Sequence, residues 1–433
     1  MAISLPRGTS DFKPEEAIML KAIKKKIEHI YRLYGFYPLE TPALELLDTL
    51  TSKAYGDENE KEIYVIEGKV EGLRYDLTVP LARYISMNKD IILPFKRYQI
   101  GTVWRMDEPQ KMRDREFFQA DIDIVGNADI TAEAELISAT MAALSSIGVT
   151  SASILINSRA LLGSIMDHLR INGELHIPIM RIIDKLQKIG KEETKKQIIQ
   201  KGVDDNTVTE LLDLILSDYG NAEKLSKLEN ILGESKAEIE KITTLLSLLK
   251  KYGLDKEVII DLSLARGMEY YTGLVWEVIL IENGKRLPSI ASGGRYDKLI
   301  SKYLKRDIPA VGSSIGINRV FQVLEKDKTK TYAKAYIAYI NKENQEYAIS
   351  IGIALRKNNI STDINLLERG ITKQLDYANA LKIPYVIIVG SIERTSNKLK
   401  LRDMSTGEEQ MLDLESSIKF LKEKLENINK NKK

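Results

Sequence analysis

The 433-residue chain contains no cysteine and only three histidines, His29, His168 and His176, far apart in the sequence. The first absence removes disulfides, thiol nucleophiles and cysteine-ligated zinc together. The second argues against a histidine-rich metal centre, so any metal is expected on carboxylates and phosphate oxygens, and no metal-ligating residue is assigned. No apolar run approaches the ~18–20 residues of a membrane span. The opening MAISLPRGTSDF lacks the basic-then-apolar layout of a signal peptide. A cytoplasmic protein with no membrane partner is expected. Net charge is small, +2 at pH 7. The stretch from Lys330 onward is mildly basic, a footprint too weak to indicate nucleic acid by itself.

What is present is the composition of a globular chain, 43% hydrophobic and 29% charged, long enough for two or three domains. Its most informative stretch runs from Trp104 to Val125, WRMDEPQKMRDREFFQADIDIV. The preceding YQIGTVWR is aromatic and β-branched, as strands are. MDEPQKMRD is a charged loop in which Pro109 rules out a continuous helix or central strand. In REFFQADIDIV, Phe118, Ala120, Ile122 and Ile124 take one strand face and Phe117, Gln119, Asp121 and Asp123 the other. Two readings are open. One is a solvent-facing hairpin with interspersed charges. The other is a pocket floor where Arg105, Arg113 and Arg115 meet a polyphosphate and the carboxylates meet an amine.

Residues 14–33 carry apolar side chains at helical spacing behind Pro14, and FYPLETP after Gly35 is extended by its two prolines. In GLRYDLTVPLARYI, Asp76 and Thr78 stand two apart and share a face if the segment is a strand. A carboxylate and a hydroxyl suit an ammonium group, although a plain Asp/Thr turn looks the same. From about 157 to 250 helical amphiphiles alternate with glycine and polar breaks, and His168 and His176 within them are read as structural or surface residues. VIIDLSLARGMEYYTGLVWEVILI reads as strand, tight turn, strand, and ASGGRYDKLI as a glycine pair at a turn before a helix. AVGSSIGINRVFQVLE is a strand leading into a helix that carries Arg319. Its Gly312–Gly316 stretch matches the nucleophile elbow Gly-x-Ser-x-Gly, but that triad needs a histidine after the serine and all three histidines precede Ser314. The hydrolase reading fails. Beyond residue 332, apolar strands alternate with helices, indicating a small, mostly parallel sheet covered on both faces.

Taken together these segments resemble the class II aminoacyl-tRNA synthetases, and Arg266-Gly-Met-Glu-Tyr-Tyr-Thr-Gly273 resembles the motif particular to the histidyl-tRNA synthetase family of class IIa. Trp104–Val125 resembles motif 2, the helix and strand ending at Pro42 motif 1, the Arg319 segment motif 3, and Gly370–Gly390 the anticodon-binding domain. The resemblance implies an α+β catalytic domain, the class II synthetase antiparallel sheet with helices, interrupted by a helical insertion and followed by a C-terminal α/β anticodon-binding domain. The bounds expected are 1–156 (motifs 1 and 2), 157–250 (insertion), 251–328 (histidine motifs and motif 3) and 329–433. It also implies ATP as substrate with Mg2+, histidine and histidine tRNA as partners, and a homodimer formed through motif 1, although helix 14–33 packed on its own domain would look the same.

By the same resemblance Arg105 contacts the α-phosphate and Arg266 stands opposite, the two catalytic positions, with Arg266 also beside histidine. Arg113 and Arg319 hold the β- and γ-phosphates, and Phe117 stacks on adenine with Arg319 on its other face. Asp76, Thr78 and Gln119 hold the α-amine. Asp123 and Tyr271 bracket the imidazole, with Tyr270 adjacent; a site built to pair both ring nitrogens rejects apolar analogues by about 10⁴–10⁵. Gln110 and Lys111 are candidates for the tRNA acceptor end. The chain departs from the family pattern at Asn318, where an acid is common, at Asp123, where many members carry glutamate, and at Glu108, where some carry arginine. A non-catalytic regulatory paralogue is the main rival, disfavoured by the presence of Arg105, Arg113, Arg266, Arg319 and the C-terminal segment. A synthetase for another amino acid and a plain ATP-binding scaffold both leave the tyrosine pair unexplained.

Overall fold

Strict alternation along Glu116–Val125 decides the centre of the fold. Its even-numbered residues from Phe118 to Ile124 turn to one side, toward Tyr31, whose hydroxyl donates to the Ala120 carbonyl at 3.2 Å. The odd-numbered polar residues turn to the other. The computed structural model describes residues 3–51, 62–233, 236–265, 270–282, 284–304, 306–325 and 329–430, with side chains to 426. The chain divides into two compact units, Met1–Ser10 with Ile23–Leu324, and Asp11–Ala22 with Glu325–Lys433.

The first unit is built on one eight-stranded sheet. Its strands are β1 (Tyr37–Pro38), β2 (Phe95–Trp104), β3 (Glu116–Val125), β4 (Ser153–Ser158), β5 (Val258–Ile260), β6 (Leu274–Ile279), β7 (Ala291–Arg295) and β8 (Ala310–Gly316), in the order β1-β2-β3-β8-β7-β6-β4-β5. The outermost pairs at each edge are parallel and the rest antiparallel. Register sets the site: Gln99, Asp121 and Ser314 lie side by side across β2, β3 and β8, and Arg97, Asp123 and Gly312 form the next row. Helix α1 (Pro14–Leu33) buries Ile23, Ile27 and Tyr31, one stripe at i, i+4 and i+8. A second helix, Thr131–Ser146, reaches β8 where Thr140 and Ser313 hydroxyls meet at 2.8 Å. Between β4 and β5 the described residues are helical from Arg159–His168 through Ala237–Lys251.

Two local expectations are corrected. Asp76 and Thr78 do not share a strand; Thr78 opens helix α2 (Thr78–Met87), and the Val79 amide donates to Asp76 Oδ1 at 2.9 Å. A carboxylate satisfying a first-turn amide, with Pro80 in that turn, is a helix start. The glycine pair lies inside β7 rather than at a turn. A Cβ on Gly294 would stand 2.6 Å from the Tyr271 ring, so the strand needs glycine there for the ring to lie across it.

The second unit carries β9 (Ala335–Tyr339), β10 (Thr362–Ile364), β11 (Tyr385–Val389), β12 (Leu399–Asp403) and β13 (Glu409–Leu412), in the order β10-β9-β11-β12-β13. The first three are parallel and the last two antiparallel additions. Ile351, Leu355 and Leu421 pack on one face and Ala378 on the other, so both faces are covered, as the buried YVIIV run requires. The sequence pattern missed β13 and the short helix Ser391–Ser396. EQML sits largely exposed at the sheet edge, where alternation carries no signal.

Candidate active site

The polar face of β3, β7 and β8 floors two cavities. The larger, about 400 Å³, is lined by Arg105, Arg113, Phe117 and Arg319, with Asp107 and Glu277 among the carboxylates. The smaller, about 70 Å³, is lined by Asp76, Thr78, Asp121, Asp123, Tyr270 and Tyr271. Arg105, Gln119, Ser292 and Ser314 line both, so the cavities adjoin along one wall.

In the larger cavity Arg105 and Arg319 are fixed by backbone carbonyls and Arg113 by a carboxylate. Arg105 Nε donates to the Tyr75 carbonyl at 3.0 Å, and its guanidinium lies 5.2 Å from the Phe117 ring centre. Arg319 donates from Nε to the Met112 carbonyl (3.1 Å) and from Nη1 to the Ser289 carbonyl (2.8 Å). Arg113 makes a two-pronged bond to Asp107 at 2.8 and 2.7 Å, which holds its guanidinium above the ordinary arginine range. The loop between β2 and β3 is tied down at its base: the Arg115 amide donates to the Gly8 carbonyl at 2.7 Å and Arg115 Nε to the Asp107 carbonyl at 2.8 Å. Asn318, at the family's acidic position, accepts from the Phe118 amide and donates to Asp114. It therefore bonds the loop to the helix Ile317–Val323 in place of an acid.

The smaller cavity is a buried charge cluster. Arg97, fully buried, donates from Nη2 to the Leu77 carbonyl at 3.0 Å and sits 2.7 Å from Asp123 Oδ2, an ion pair outside hydrogen-bond alignment. Tyr296 donates to the other oxygen of Asp123 at 2.5 Å. Gly312 makes room for this carboxylate, since a Cβ there would lie 2.0 Å from Asp123 Oδ1. Burial pushes the Asp123 carboxyl up, against the opposing pull of Arg97 and Tyr296. Burial also lifts Asp76 to about 6, opposed by the Val79 amide, Arg105 and Arg97. Asp121 rises to about 7, through burial first, with Asp123 and Asp76 adding to it and Arg97 and the Ser314 hydroxyl opposing. Acids held this far up in a cleft are candidates for ligand recognition.

The structure thus gathers Arg105, Arg113, Phe117 and Arg319 on one cavity and Asp76, Thr78, Gln119, Asp123, Tyr270 and Tyr271 on the other, with Gln119 on both. Arg266 lies outside the described residues. Phe117 stands beside Arg105 as well as sharing its cavity with Arg319. Sequence reasoning gave no site role to Arg97, Ser314 or Asp184. Arg97 sits in a KRY run that looks solvated, and Asp184 comes from the helical stretch to line the larger cavity. Strand alternation did put Asp121 on the site face without giving it a role.

A hairpin floor with arginines over a nucleotide-sized cavity, sharing a wall with a small polar pocket on an antiparallel sheet, is the arrangement of the class II aminoacyl-tRNA synthetases. A family model described as histidyl-tRNA synthetase matches residues 8–320, and an anticodon binding domain model matches residues 334–424. The chain belongs to the histidyl-tRNA synthetase family. It is 37% identical over 452 residues to a histidine–tRNA ligase of Bacteroides fragilis, covering 96% of this chain and 98% of that one. A histidine–tRNA ligase of Korarchaeum cryptofilum is 38% identical over 414 residues, covering 92% and 94%. The crystal structure of histidyl-tRNA synthetase from Nostoc sp. PCC 7120 superposes with a TM-score of 0.86 at 29% identity, covering 98% of this chain and all of that one.

Proposed function

We propose that the larger cavity takes ATP and the smaller takes histidine, and that the shared wall is where they react. The protein ligates histidine to its tRNA: histidine is activated to histidyl-adenylate with release of pyrophosphate, and the histidyl group then passes to the 3′ end of histidine tRNA with release of AMP. The observation that carries the assignment is the overlap of the two cavities at Arg105, Gln119, Ser292 and Ser314. Attack of a carboxylate on the α-phosphate brings two anions together, and a fixed guanidinium at that junction stabilises the charge that gathers there. Arg105 takes that role, and Arg266 is assigned to the same reaction by the family resemblance alone. Arg113 and Arg319 hold the outer phosphates, Arg113 by exchanging Asp107 for a phosphate, and Phe117 stacks on adenine. Asp76, Thr78 and Gln119 receive the α-amine. Tyr271 and Tyr270 flank the ring, and Asp123 acts at the closed end with Tyr296.

Magnesium belongs to this reaction on the phosphate oxygens. Among the described residues no three acids or histidines gather as a metal site. Glu277 lines the larger cavity, and one or two carboxylates completed by phosphate oxygens are a donor set that Mg2+ accepts. When bound, it would neutralise phosphate charge.

We divide the chain as 1–156, 157–250, 251–328 and 329–433, with the helical 157–250 segment directed at the acceptor arm and the second unit at the anticodon. A homodimer through α1 and the extended segment to Pro42, in the cytoplasm, completes the proposal. No helix among the described residues is long and apolar enough to cross a membrane.

The junction is tested with Arg105→Ala. Single-turnover adenylate formation should fall by about 10²–10³, as for loss of one preorganised charge-stabilising donor, while ATP and histidine each still bind in calorimetry. Loss of one ligand's binding with unchanged chemistry for the other would place Arg105 in that ligand's site alone.

A further inference from the structure

Four oxygen atoms lining the smaller cavity are buried and have no hydrogen-bond partner among the described residues: Asp76 Oδ2, Gln119 Oε1, Asp121 Oδ1 and Asp123 Oδ2. Asp76 is 4% exposed and Asp121 3%. Buried acceptors left unpaired are rare and costly, and each one calls for an explanation. Asp123 Oδ2 differs from the other three in having a cation against it, the Arg97 guanidinium at 2.7 Å, while the other Asp123 oxygen accepts from Tyr296.

Of the other three acceptors, two are held in place by the sheet and Asp76 by the start of α2. Asp121 and Gln119 are two apart on β3 and face the same way. Ser314, directly across from Asp121 on β8, links them: Gln119 Nε2 donates to Ser314 Oγ at 3.1 Å, and the Ser314 hydroxyl donates to Asp121. Each of these side chains therefore spends one polar atom on Ser314 and leaves its remaining oxygen uncommitted. Asp76 is oriented in the same manner by the Val79 amide on its other oxygen, and its charge acts on Asp121.

An alkylammonium group has three N–H donors. We propose that Asp121 is a specificity-determining residue that receives the α-ammonium of histidine on Oδ1, completing a three-oxygen cradle with Asp76 Oδ2 and Gln119 Oε1, and that Ser314 positions both Asp121 and Gln119. Asp123 is then the positioning group at the ring end, acting through Tyr296 and Arg97. Two carboxylates and an amide around one ammonium also make the site selective against a substrate whose amine is missing or uncharged. The raised Asp121 and Asp76 carboxyls fit this role, since each is a negative charge that a bound cation would stabilise.

This inference rests on the reading of the smaller cavity as the histidine site. Its test is Asp121→Asn, nearly isosteric, measured by ATP–pyrophosphate exchange and by inhibition of that exchange. Histidinol keeps the ammonium and ring; imidazolepropionate keeps the ring and lacks the ammonium. The variant should raise the histidine KM and the histidinol inhibition constant about 10- to 100-fold, the range for loss of a charge-assisted bond. Inhibition by imidazolepropionate and the ATP KM should stay within about threefold, which also shows that the pocket is folded. Ser314→Ala should move the same constants in the same direction by a smaller factor. Equal weakening of histidinol and imidazolepropionate overturns the proposal, because Asp121 would then serve the ring or the fold. An unchanged histidine KM overturns it as well. Wild-type protein that exchanges with no histidine at all overturns the site reading itself, whereas wild-type exchange beside an indifferent Asp121→Asn variant overturns only this inference.

Discussion

Asp121→Asn makes a second, opposite prediction about stability. Burial lifts the Asp121 carboxyl from 3.8 to about 7, a displacement of about three pH units, and at about 1.4 kcal/mol per unit keeping it ionised costs the fold about 4 kcal/mol. The sign follows from proton counts. An acid whose folded pKa lies above its unfolded value destabilises the fold fully above the folded pKa. The penalty shrinks as pH falls through 7 and is nearly gone at pH 4, close to the unfolded pKa, where the carboxyl is protonated in the folded state and about 40% protonated in the unfolded one. A neutral asparagine carries no such penalty. Allowing for about 1–2 kcal/mol from a weakened Ser314 bond, the variant should be more stable than wild type by about 2–3 kcal/mol at pH 8. At pH 4 it should be no more stable. The assay is guanidinium unfolding in ligand-free buffer at both pH values. The chain's only two tryptophans, Trp104 and Trp276, both belong to the first unit, so their fluorescence follows that unit alone. A variant no more stable than wild type at pH 8 would refute the claim that this carboxylate is held ionised against the fold's preference.

Three further outcomes are expected. Gly312→Ala places a methyl carbon 2.0 Å from Asp123 Oδ1 and so displaces that carboxylate; histidine KM in pyrophosphate exchange should rise at least tenfold while the ATP KM changes little. Tyr377→Ala removes a ring that Arg369 covers at 4.7 Å in the second unit. If that ring stacks on an anticodon base, worth about 1–3 kcal/mol, the tRNA KM in aminoacylation should rise 5- to 150-fold with pyrophosphate exchange unchanged. Arg266→Ala should cut adenylate formation far more than it weakens ATP binding; near-normal single-turnover rates would remove that residue from the reaction.

The parts of this site written in local periodicity were legible from the chain. Alternation along Glu116–Val125 put Phe117, Gln119, Asp121 and Asp123 on one face, and the structure keeps that face against both cavities. What failed was anything decided by a partner distant in sequence. The carboxylates on β3 look equivalent in the sequence, yet Asp123 accepts from Tyr296 on one oxygen and has the Arg97 guanidinium 2.7 Å from the other, while Asp121 Oδ1 is buried without a hydrogen-bond partner. Asp76 and Thr78, two apart, share a face if the segment is a strand, and that spacing alone does not separate a strand from a turn. Only the Val79 amide, satisfied by the Asp76 carboxylate, shows that the residue starts a helix. Asp184 reaches the larger cavity from a helical stretch whose own pattern describes nothing but a solvated face. The C-terminal unit was read well where strands are buried on both sides and missed at β13, whose side chains face water.

The most direct test of two substrates meeting at Arg105 and Gln119 is ATP–pyrophosphate exchange by the purified protein, without tRNA, across all twenty amino acids. Exchange with histidine alone is the predicted result, since the ammonium cradle, the tyrosines and the phosphate-binding arginines then act on one substrate pair. Exchange with another amino acid, or no exchange while histidine still binds in calorimetry, would contradict it.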